Sequence, residues 1–528
     1  MSFVQLLDGF AAAGGSNKQL LQALTALFVA VFSIFCAWKI ARGFRKPPFP
    51  LPPGPRGLPI VGYLPFLGTD LHVAFENLAS LYGPVFKLRL GTKLCVVVSS
   101  PAAVKEIVRD KDTIFANRDP SIGALIATYG AQDIAFADYG PDWRKLRKQF
   151  VQEMLTKASL DACYDKRREG VRMGIREVYR RNGEPVNVGQ VLVVTLVDSV
   201  VRTVWGGSIL EDHQDSSVKG SELKQLLTEF ITLLGCFNLS DYFPALAWLD
   251  LQGVARRMTK VSAHIDSILD KAINERQQFR ATACVDGSRR RDLLQYLLDL
   301  KDSEDPASSL SMTQLKALLT DVVIGATDTT TTIIEWALSE LLKNPENLEQ
   351  VYQELNQVVG LDSMVEESHL PKLHYLNAVL KETHRLHPGV PLLVPRRPSQ
   401  TTDLCGYTIP QGTKIFINVW AIHRDAQFWE EPQSFRPERF LDPAAKWDYA
   451  GNDFRYLPFG SGRRVCAGLP LAERMQMYTL ASFLHCFKWD VPQGEEIELS
   501  ETFGIVLKKA VPLVAVPTPR LSDLKLYA

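Results

Sequence analysis

The stretch FGSGRRVCAG, residues 459–468, places Cys466 close to glycines on either side, with Arg463 and Arg464 just before it. A cysteine in this company can be a nucleophile, a zinc ligand, a haem ligand or packing. Gly468 and Pro470 suit a loop running directly into a helix, since proline is accommodated in a first helical turn. Cys466 then sits just before the helix N-terminus, where the dipole and free N–H groups stabilise a thiolate. Gly462 and Gly468 let the backbone come close to something flat and bulky. Arg464 offers a charged fork to an acid on that object. A thiolate, room for a flat ligand and a carboxylate partner together point to haem.

A second unusual stretch is IGATDTTTTII, residues 324–334. Glycine and four consecutive threonines are poor helix formers, yet they fall in the middle of the longest helix the sequence suggests. Ser311 with Gln314 three residues on is a capping-box pattern, and the segment runs to Asn344 before Pro345. Such a helix extends roughly 50 Å, enough to cross the whole body. A local rule broken in mid-helix marks a functional site, or threonines that bond back to carbonyls one turn earlier and bend the helix.

The elements that must position these groups are mostly helical. LKQLLTEFITLLGCF (223–237) and LLQYLLDL (293–300) have helical periodicity, while VFKLRL (85–90) and KLCVVVSS (93–100) alternate and predict a small sheet near the start of the body. No repeat or second proline-rich linker divides residues 60–528, so one large domain is expected, with ACVDGSRRRD (283–292) and DSEDPASS (302–309) as surface loops.

Lys plus Arg (59) equals Asp plus Glu (59), which argues against a general electrostatic grip on nucleic acid. The eight cysteines are scattered, with no C-x-x-C pair, unlike a zinc site or a small disulfide scaffold. A reducing compartment is expected. Residues Leu20 to Trp38 form 19 positions without a charge, followed by Lys39, Arg42, Arg45 and Lys46. That length nearly spans a hydrocarbon core of ~30 Å, and the flanking charge places the downstream chain in the cytosol. KPPFPLPPGPRGLP (46–59) reads as a stiff extended spacer.

Phe459, Gly462, Arg464, Cys466 and Gly468 fit F-x-x-G-x-R-x-C-x-G, and on these residues the chain resembles the cytochrome P450 superfamily. KETHR supplies Glu382 and Arg385, similar to the family's E-x-x-R helix. FRPERF (435–440) is similar to the element whose arginine, here Arg439, completes that trio. WRKLR gives Trp143 and Arg147, similar to the W-x-x-x-R helix. The long helix resembles the oxygen-activating helix, with Asp328 and Thr329 at the acid–alcohol pair. These matches occur in the family's order and span residues 47 to about 510.

The resemblance implies a mainly α fold with small β-sheets, a cytochrome P450 fold preceded by one transmembrane helix. Residues 1–46 would be the anchor and its basic flank, 47–59 a hinge and 60–528 the monooxygenase domain. It implies haem b ligated by the Cys466 thiolate, which donates electron density to the iron. Arg464, Arg147 and Arg396 of LLVPRR would pair the propionates, with Trp143 as a neutral donor beside them and Phe459 packed near the sulfur. Glu382, Arg385 and Arg439 would form a buried, structural ion network. Asp328 and Thr329 would pass protons toward dioxygen through a short relay. One departure is Ala326, where the family usually has glycine.

Electrons must come from outside, because the chain carries no flavin or nicotinamide fingerprint. The resemblance implies NADPH-cytochrome P450 reductase as partner, with cytochrome b5 as a second. Arg144, Lys145 and Lys148 are candidate contacts for an acidic flavoprotein. It also implies an endoplasmic-reticulum membrane location with the catalytic body facing the cytosol, and O2 with a lipophilic small molecule as substrates. The distal wall would come from Ile122 and Leu125, from Val322, Gly325 and Ala326, from Val390, Leu392 and Leu393, and from Ile505 and Val506. This aliphatic lining gives shape selection with few orienting hydrogen bonds.

The wording FANRDPSIGALIATYGAQDIAFADYGPDWRKLRK resembles plant microsomal members, in particular the subfamily that includes sesquiterpene hydroxylases. The expectation is hydroxylation of a sesquiterpene, carried on in some cases to a ketone. The alternative within the same chemistry is a phenylpropanoid or flavonoid hydroxylase, which should show more polar pocket residues. From other classes stand a reductase-independent hydroperoxide-rearranging enzyme, which typically lacks the acid–Thr pair, and a haem-binding sensor.

Overall fold

The computed structural model describes residues 49–207, 216–282, 292–305, 308–442 and 447–527, so the apolar segment 20–38 and most of the 283–292 loop lie outside the described residues. Within residues 52–405 and 409–528 the chain is mainly helical. Its axis is the helix Met312–Lys343, which is continuous through Gly325 and the threonines. Both arms of the capping box form: Gln314 N–H donates to Ser311 Oγ at 3.1 Å and Ser311 N–H to Gln314 Oε1 at 3.0 Å. The threonines reconcile polarity with burial by back-bonding one turn. Thr327, Thr329 and Thr332 donate to the carbonyls of Val323, Gly325 and Asp328 at 2.6, 2.7 and 2.8 Å.

Val188–Trp205, His374–Leu386 and Leu469–Cys486 pack against this axis, and Tyr164–Arg180 packs on Val188–Trp205. Val188–Trp205 is, among the described residues, the one helix long and apolar enough to cross a membrane, but 78% of that window is buried inside the protein. It is a core helix. Its partner Tyr164–Arg180 approaches through Gly170 and Gly174, where an added Cβ would fall 2.1 and 2.2 Å from the Ser199 and Thr195 hydroxyls. Small residues spaced one turn apart therefore set the distance between the two helices.

The expected small sheet exists and is larger than the two strands read from sequence. Its order is Val85–Leu90, Lys93–Val98, Lys414–Ile417, Arg396–Arg397, Asn117–Arg118. The last pairing is antiparallel and sets Arg118 directly opposite Arg396. Like charges directly opposite destabilise a sheet, so this register needs a compensating anion. Over its second half the proline-rich stretch lies against the first strand: Lys87 N–H donates to the Pro53 carbonyl at 2.8 Å.

The E-x-x-R trio ties the helices to the loops beneath them. Arg385 makes a bidentate pair with Glu382 at 2.7 Å on both arms, and neither side chain has solvent exposure. Arg439 Nε donates to the same carboxylate at 3.3 Å. Arg385 also donates to the carbonyls of His423, Pro432 and Ser434. None of the three lines the internal cavity, which makes the network structural.

Candidate active site

Cys466 lies on a tight loop ahead of the helix Leu469–Cys486, with its own N–H donating to the Phe459 carbonyl at 3.0 Å. The sulfur is exposed, but to an internal cavity of about 360 Å³ deep in the protein rather than to bulk solvent. Burial pushes the thiol up, while the Gly468 and Leu469 N–H groups and Arg147 pull it down. The sequence reading gave Gly462 the task of admitting a ligand; the structure gives it another. Gly462 has φ +70°, and a Cβ there would sit 2.3 Å from the Val108 carbonyl. It docks the loop onto the protein, whereas Gly460 and Gly468 line the cavity. The Phe459 ring packs on His384, with centroids 5.1 Å apart. His384 is held neutral by burial, pushed down to about 4, and bonds Gln476 at 2.9 Å.

Four guanidinium groups border the same cavity: Arg118, Arg147, Arg396 and Arg464. Their partners are mainly neutral carbonyls. Arg464 donates to Ala116 at 2.7 Å, Ile134 at 3.2 Å and Ala137. Arg147 donates to Val465 at 2.6 Å, and Arg396 to Ser461 at 2.9 Å. Arg118 donates to Ala135 and Val394. The one acidic contact to Arg396, Asp112, is long at 3.5 Å. Burial, then mutual repulsion, lowers Arg464 to about 10, and burial lowers Arg396 to about 10. The same causes take Arg118 well below its ordinary range. A cluster of buried cations held by carbonyls is a receptor for a multivalent anion. With a cysteine facing the cavity and Gly460 and Gly468 beside it in the lining, these residues fit haem: Cys466 would ligate the iron and the arginines the propionates.

Arg118 was not singled out from sequence. The signal that could have found it is the ANRD of residues 116–119, but only the strand register opposite Arg396 brings it to the site. Trp143 stands elsewhere than expected. Its indole N–H donates to the Ile134 carbonyl at 2.9 Å, and its ring lies under Arg464, 4.3 Å from the guanidinium carbon. It braces the arginine and is absent from the cavity lining.

On the facing wall, Val322, Gly325, Ala326 and Thr329 line the cavity. A Cβ on Gly325 would meet nothing within 4 Å, so it faces open space. Thr329 keeps its hydroxyl hydrogen on the Gly325 carbonyl and its lone pairs free to accept. Asp328 does not line the cavity: its Oδ1 pairs with Lys508 Nζ at 2.6 Å, and its Oδ2 is buried without a partner. Burial raises its carboxyl although Lys508 opposes the shift. The acid and the alcohol are thus neighbours in sequence that point to different surroundings.

Of the other expected wall residues, Val390, Leu393, Ile505 and Val506 line the cavity, and Ile122, Leu125 and Leu392 do not. The helix Ile122–Ala127 presents its C-terminal end, so Ala127 and Thr128 reach the cavity instead, while Leu125 is exposed. Leu392 points into the cluster built on Phe75, Phe86 and Phe416. The lining also contains Phe136, Phe230, Thr128, Thr320 and Asp321, giving it more aromatic and polar character than the sequence suggested. Arg144 and Lys148 are exposed at the surface, whereas Lys145 is tethered to the Ser309 carbonyl at 2.8 Å.

These features define a haem-thiolate protein, and residues 52–515 match the family model described as Cytochrome P450. The chain belongs to the cytochrome P450 family, whose members bind a cysteine-ligated haem and act as monooxygenases. It is 39% identical over 94% of its length to a flavonoid 3'-monooxygenase of Crocosmia x crocosmiiflora, covering 98% of that protein. It is 38% identical to the flavonoid 3'-monooxygenase of Petunia hybrida, with 94% of this chain and 97% of that one covered. Among solved structures it is similar to a zebra fish cytochrome P450 with progesterone, at a TM-score of 0.74 and 28% identity, over 86% of this chain and all of that one. The plant relatives support a plant microsomal monooxygenase and favour the flavonoid alternative over the sesquiterpene expectation.

Proposed function

We propose that this protein hydroxylates an aromatic ring of a flavonoid or phenylpropanoid, using O2 and electrons delivered from NADPH by a partner reductase. The cavity lining carries the reading. Phe136 and Phe230 offer faces for ring stacking, and Thr128, Thr320 and Asp321 supply the polar positions that a phenolic substrate needs and a sesquiterpene does not. The curated relatives named above support the same choice.

Cys466 would hold the haem, which would supply the oxygen activation with electron density from the thiolate. The chain's own residues do the rest. Arg118, Arg147, Arg396 and Arg464 would hold the propionates. Gly325 and Ala326 line the same cavity as Cys466, and the Thr329 hydroxyl would hold or pass a proton from its place in that lining. Asp328, screened from the cavity, is held by the partly exposed Lys508 on the side away from that hydroxyl and fixes this turn of the helix. Arg144 and Lys148 present positive charge to an acidic reductase.

Residues 20–38 anchor the protein in the endoplasmic-reticulum membrane with its body in the cytosol. Exposed apolar residues at Leu58, Ile60 and Phe66, and at Trp248 and Leu251, support a body that also rests on the bilayer. The test is turnover of naringenin and of a sesquiterpene olefin by the protein reconstituted with plant reductase and NADPH. Ring hydroxylation of naringenin is expected; product from the olefin alone would overturn the reading.

A further inference from the structure

Ile505 and Val506, which line the cavity, belong to the turn of a small hairpin. Glu501–Thr502 pairs antiparallel with Lys508–Lys509, Glu501 standing opposite Lys509, and residues 503–507 close the turn. Strands this short do not hold a hairpin in place by themselves. The returning strand is tied down through Leu507. Its N–H donates to the Gly389 carbonyl at 3.0 Å, and its carbonyl accepts the Trp336 indole N–H at 3.0 Å. Lys508 adds its pair with Asp328.

The outgoing strand is tied down through one side chain, the mostly buried Glu501. On Oε2 its carboxylate meets His72 Nε2 at 3.3 Å and Trp420 Nε1 at 3.2 Å. On Oε1 it meets His387 Nδ1 at 3.2 Å and Arg424 Nη2 at 3.4 Å. Nε and Nη1 of Arg424 are buried without a partner, so among the described residues Glu501 is the acid that Arg424 pairs with. Burial pushes the Glu501 carboxyl up, but the bonds from His387 and His72 and the Arg424 charge outweigh it and hold the carboxyl well below the ordinary range.

His387 carries this contact to the rest of the wall. Its Nε2 lies 2.7 Å from Glu340 Oε1, and its ring stacks on Trp336 with centroids 3.9 Å apart. Glu340 and Trp336 stand on the long helix, and Gly389 and Val390 of the cavity lining follow His387 closely in the chain. The His72 ring stacks on Phe503, the first residue of the turn, at 5.3 Å. On its far side the turn abuts the helix Ser216–Gly235, where a Cβ on Gly235 would fall 2.4 Å from the Ile505 nitrogen. The turn is wedged between that helix and a base that Glu501 fixes.

We propose that Glu501 is a positioning residue for substrate selection: its carboxylate, gripped by His387, His72, Trp420 and Arg424, fixes how far Ile505 and Val506 project into the cavity. Glu501 is itself absent from the cavity lining. Its influence therefore falls on ligands large enough to reach the hairpin and leaves smaller ones alone. A residue that only stabilised the fold would affect both alike.

The test is spectral titration of the haem-loaded protein with two ligands of the iron: imidazole, too small to reach the hairpin, and clotrimazole, an imidazole bearing three aryl rings. The carbon-monoxide spectrum checks each variant for intact thiolate ligation. Glu501→Gln leaves one acceptor oxygen and turns an amide N–H2 toward groups that donate. Its affinity for clotrimazole should fall about tenfold while that for imidazole stays within about twofold. Trp420→Phe removes one donor to the carboxylate but keeps a ring beside Arg424, and should shift the ratio of the two affinities in the same direction by about threefold. On an Ile505→Ala background the Glu501→Gln shift should shrink to about threefold or less, because much of the wall it positions has gone. An unchanged ratio in either variant, from no effect or from equal effects on both ligands, would overturn the proposal. So would a shift in the opposite direction, or a full shift that persists without the Ile505 side chain. Both probes bind the iron whatever the natural substrate is, so this outcome is separate from the flavonoid reading.

Discussion

Removing the carboxylate of Glu382 is the perturbation whose cost the structure defines most closely. That carboxylate accepts two bonds from Arg385 at 2.7 Å, the Arg436 N–H at 2.9 Å and Arg439 Nε at 3.3 Å, and neither Glu382 nor Arg385 is exposed to solvent. In Glu382→Ala, Arg385 keeps the carbonyls of His423, Pro432 and Ser434 but loses its counter-charge. Deleting one member of a buried pair costs about 3–5 kcal/mol, because an uncompensated charge remains. Glu382→Gln keeps an acceptor oxygen and should cost less, about 1–3 kcal/mol. The double variant Glu382→Ala with Arg385→Met removes both charges and should be less destabilised than Glu382→Ala alone. Urea unfolding followed by tryptophan fluorescence measures the series, with Trp429, 5.3 Å from the Arg385 guanidinium, as local reporter. Glu382→Ala within about 1 kcal/mol of wild type, or a double variant worse than both singles, would refute a network of buried, mutually dependent charges.

Three further outcomes are expected. Arg118→Leu should lower haem retention about 10–100-fold by deleting one charge-assisted contact, while the haem-free protein is no less stable in thermal unfolding, since a repelled cation has gone. Thr329→Val should leave the carbon-monoxide spectrum intact but cut product formed per NADPH consumed about a hundredfold, the lower range for a lost proton-transfer group. Lys508→Met removes the partner of Asp328, whose folded pKa already lies above the ordinary carboxylate value. A raised carboxyl carries stability that is fully present below the unfolded value and lost as pH rises through the folded one. The variant should therefore match wild type in acid, near pH 3–4, and fall behind it by about 1 kcal/mol at neutral pH in thermal melts, a modest figure because Lys508 is partly exposed.

Local signals in the sequence carried far into the structure. Ser311 with Gln314 and Pro345 bounded the long helix within a residue or so, because caps act over one turn. The spacing of Glu382 and Arg385 put them on one helix face for the same reason. What sequence could not show depends on register and on which way a side chain turns. Arg118 reaches the site only through a strand pairing with Arg396. Asp328 and Thr329 are adjacent, and successive residues on a helix point about 100° apart, so only one could face the cavity. The family resemblance places the stretches of Ile122, Leu125 and Leu392 in the wall, but it does not set which side chain of a stretch turns inward, and an apolar residue fills a core or a surface as readily as a pocket. The bond from the Ile134 N–H to the Asp321 carboxylate joins residues far apart in sequence, and neither stands in a motif.

The most direct test of the central claim is the carbon-monoxide difference spectrum of the reduced protein beside that of Cys466→Ser. Thiolate ligation predicts a strongly red-shifted Soret band in the wild type and its loss in the variant. A folded, haem-loaded wild type whose band falls at the position typical of imidazole ligation would contradict the account, because Cys466 would then not be the axial ligand.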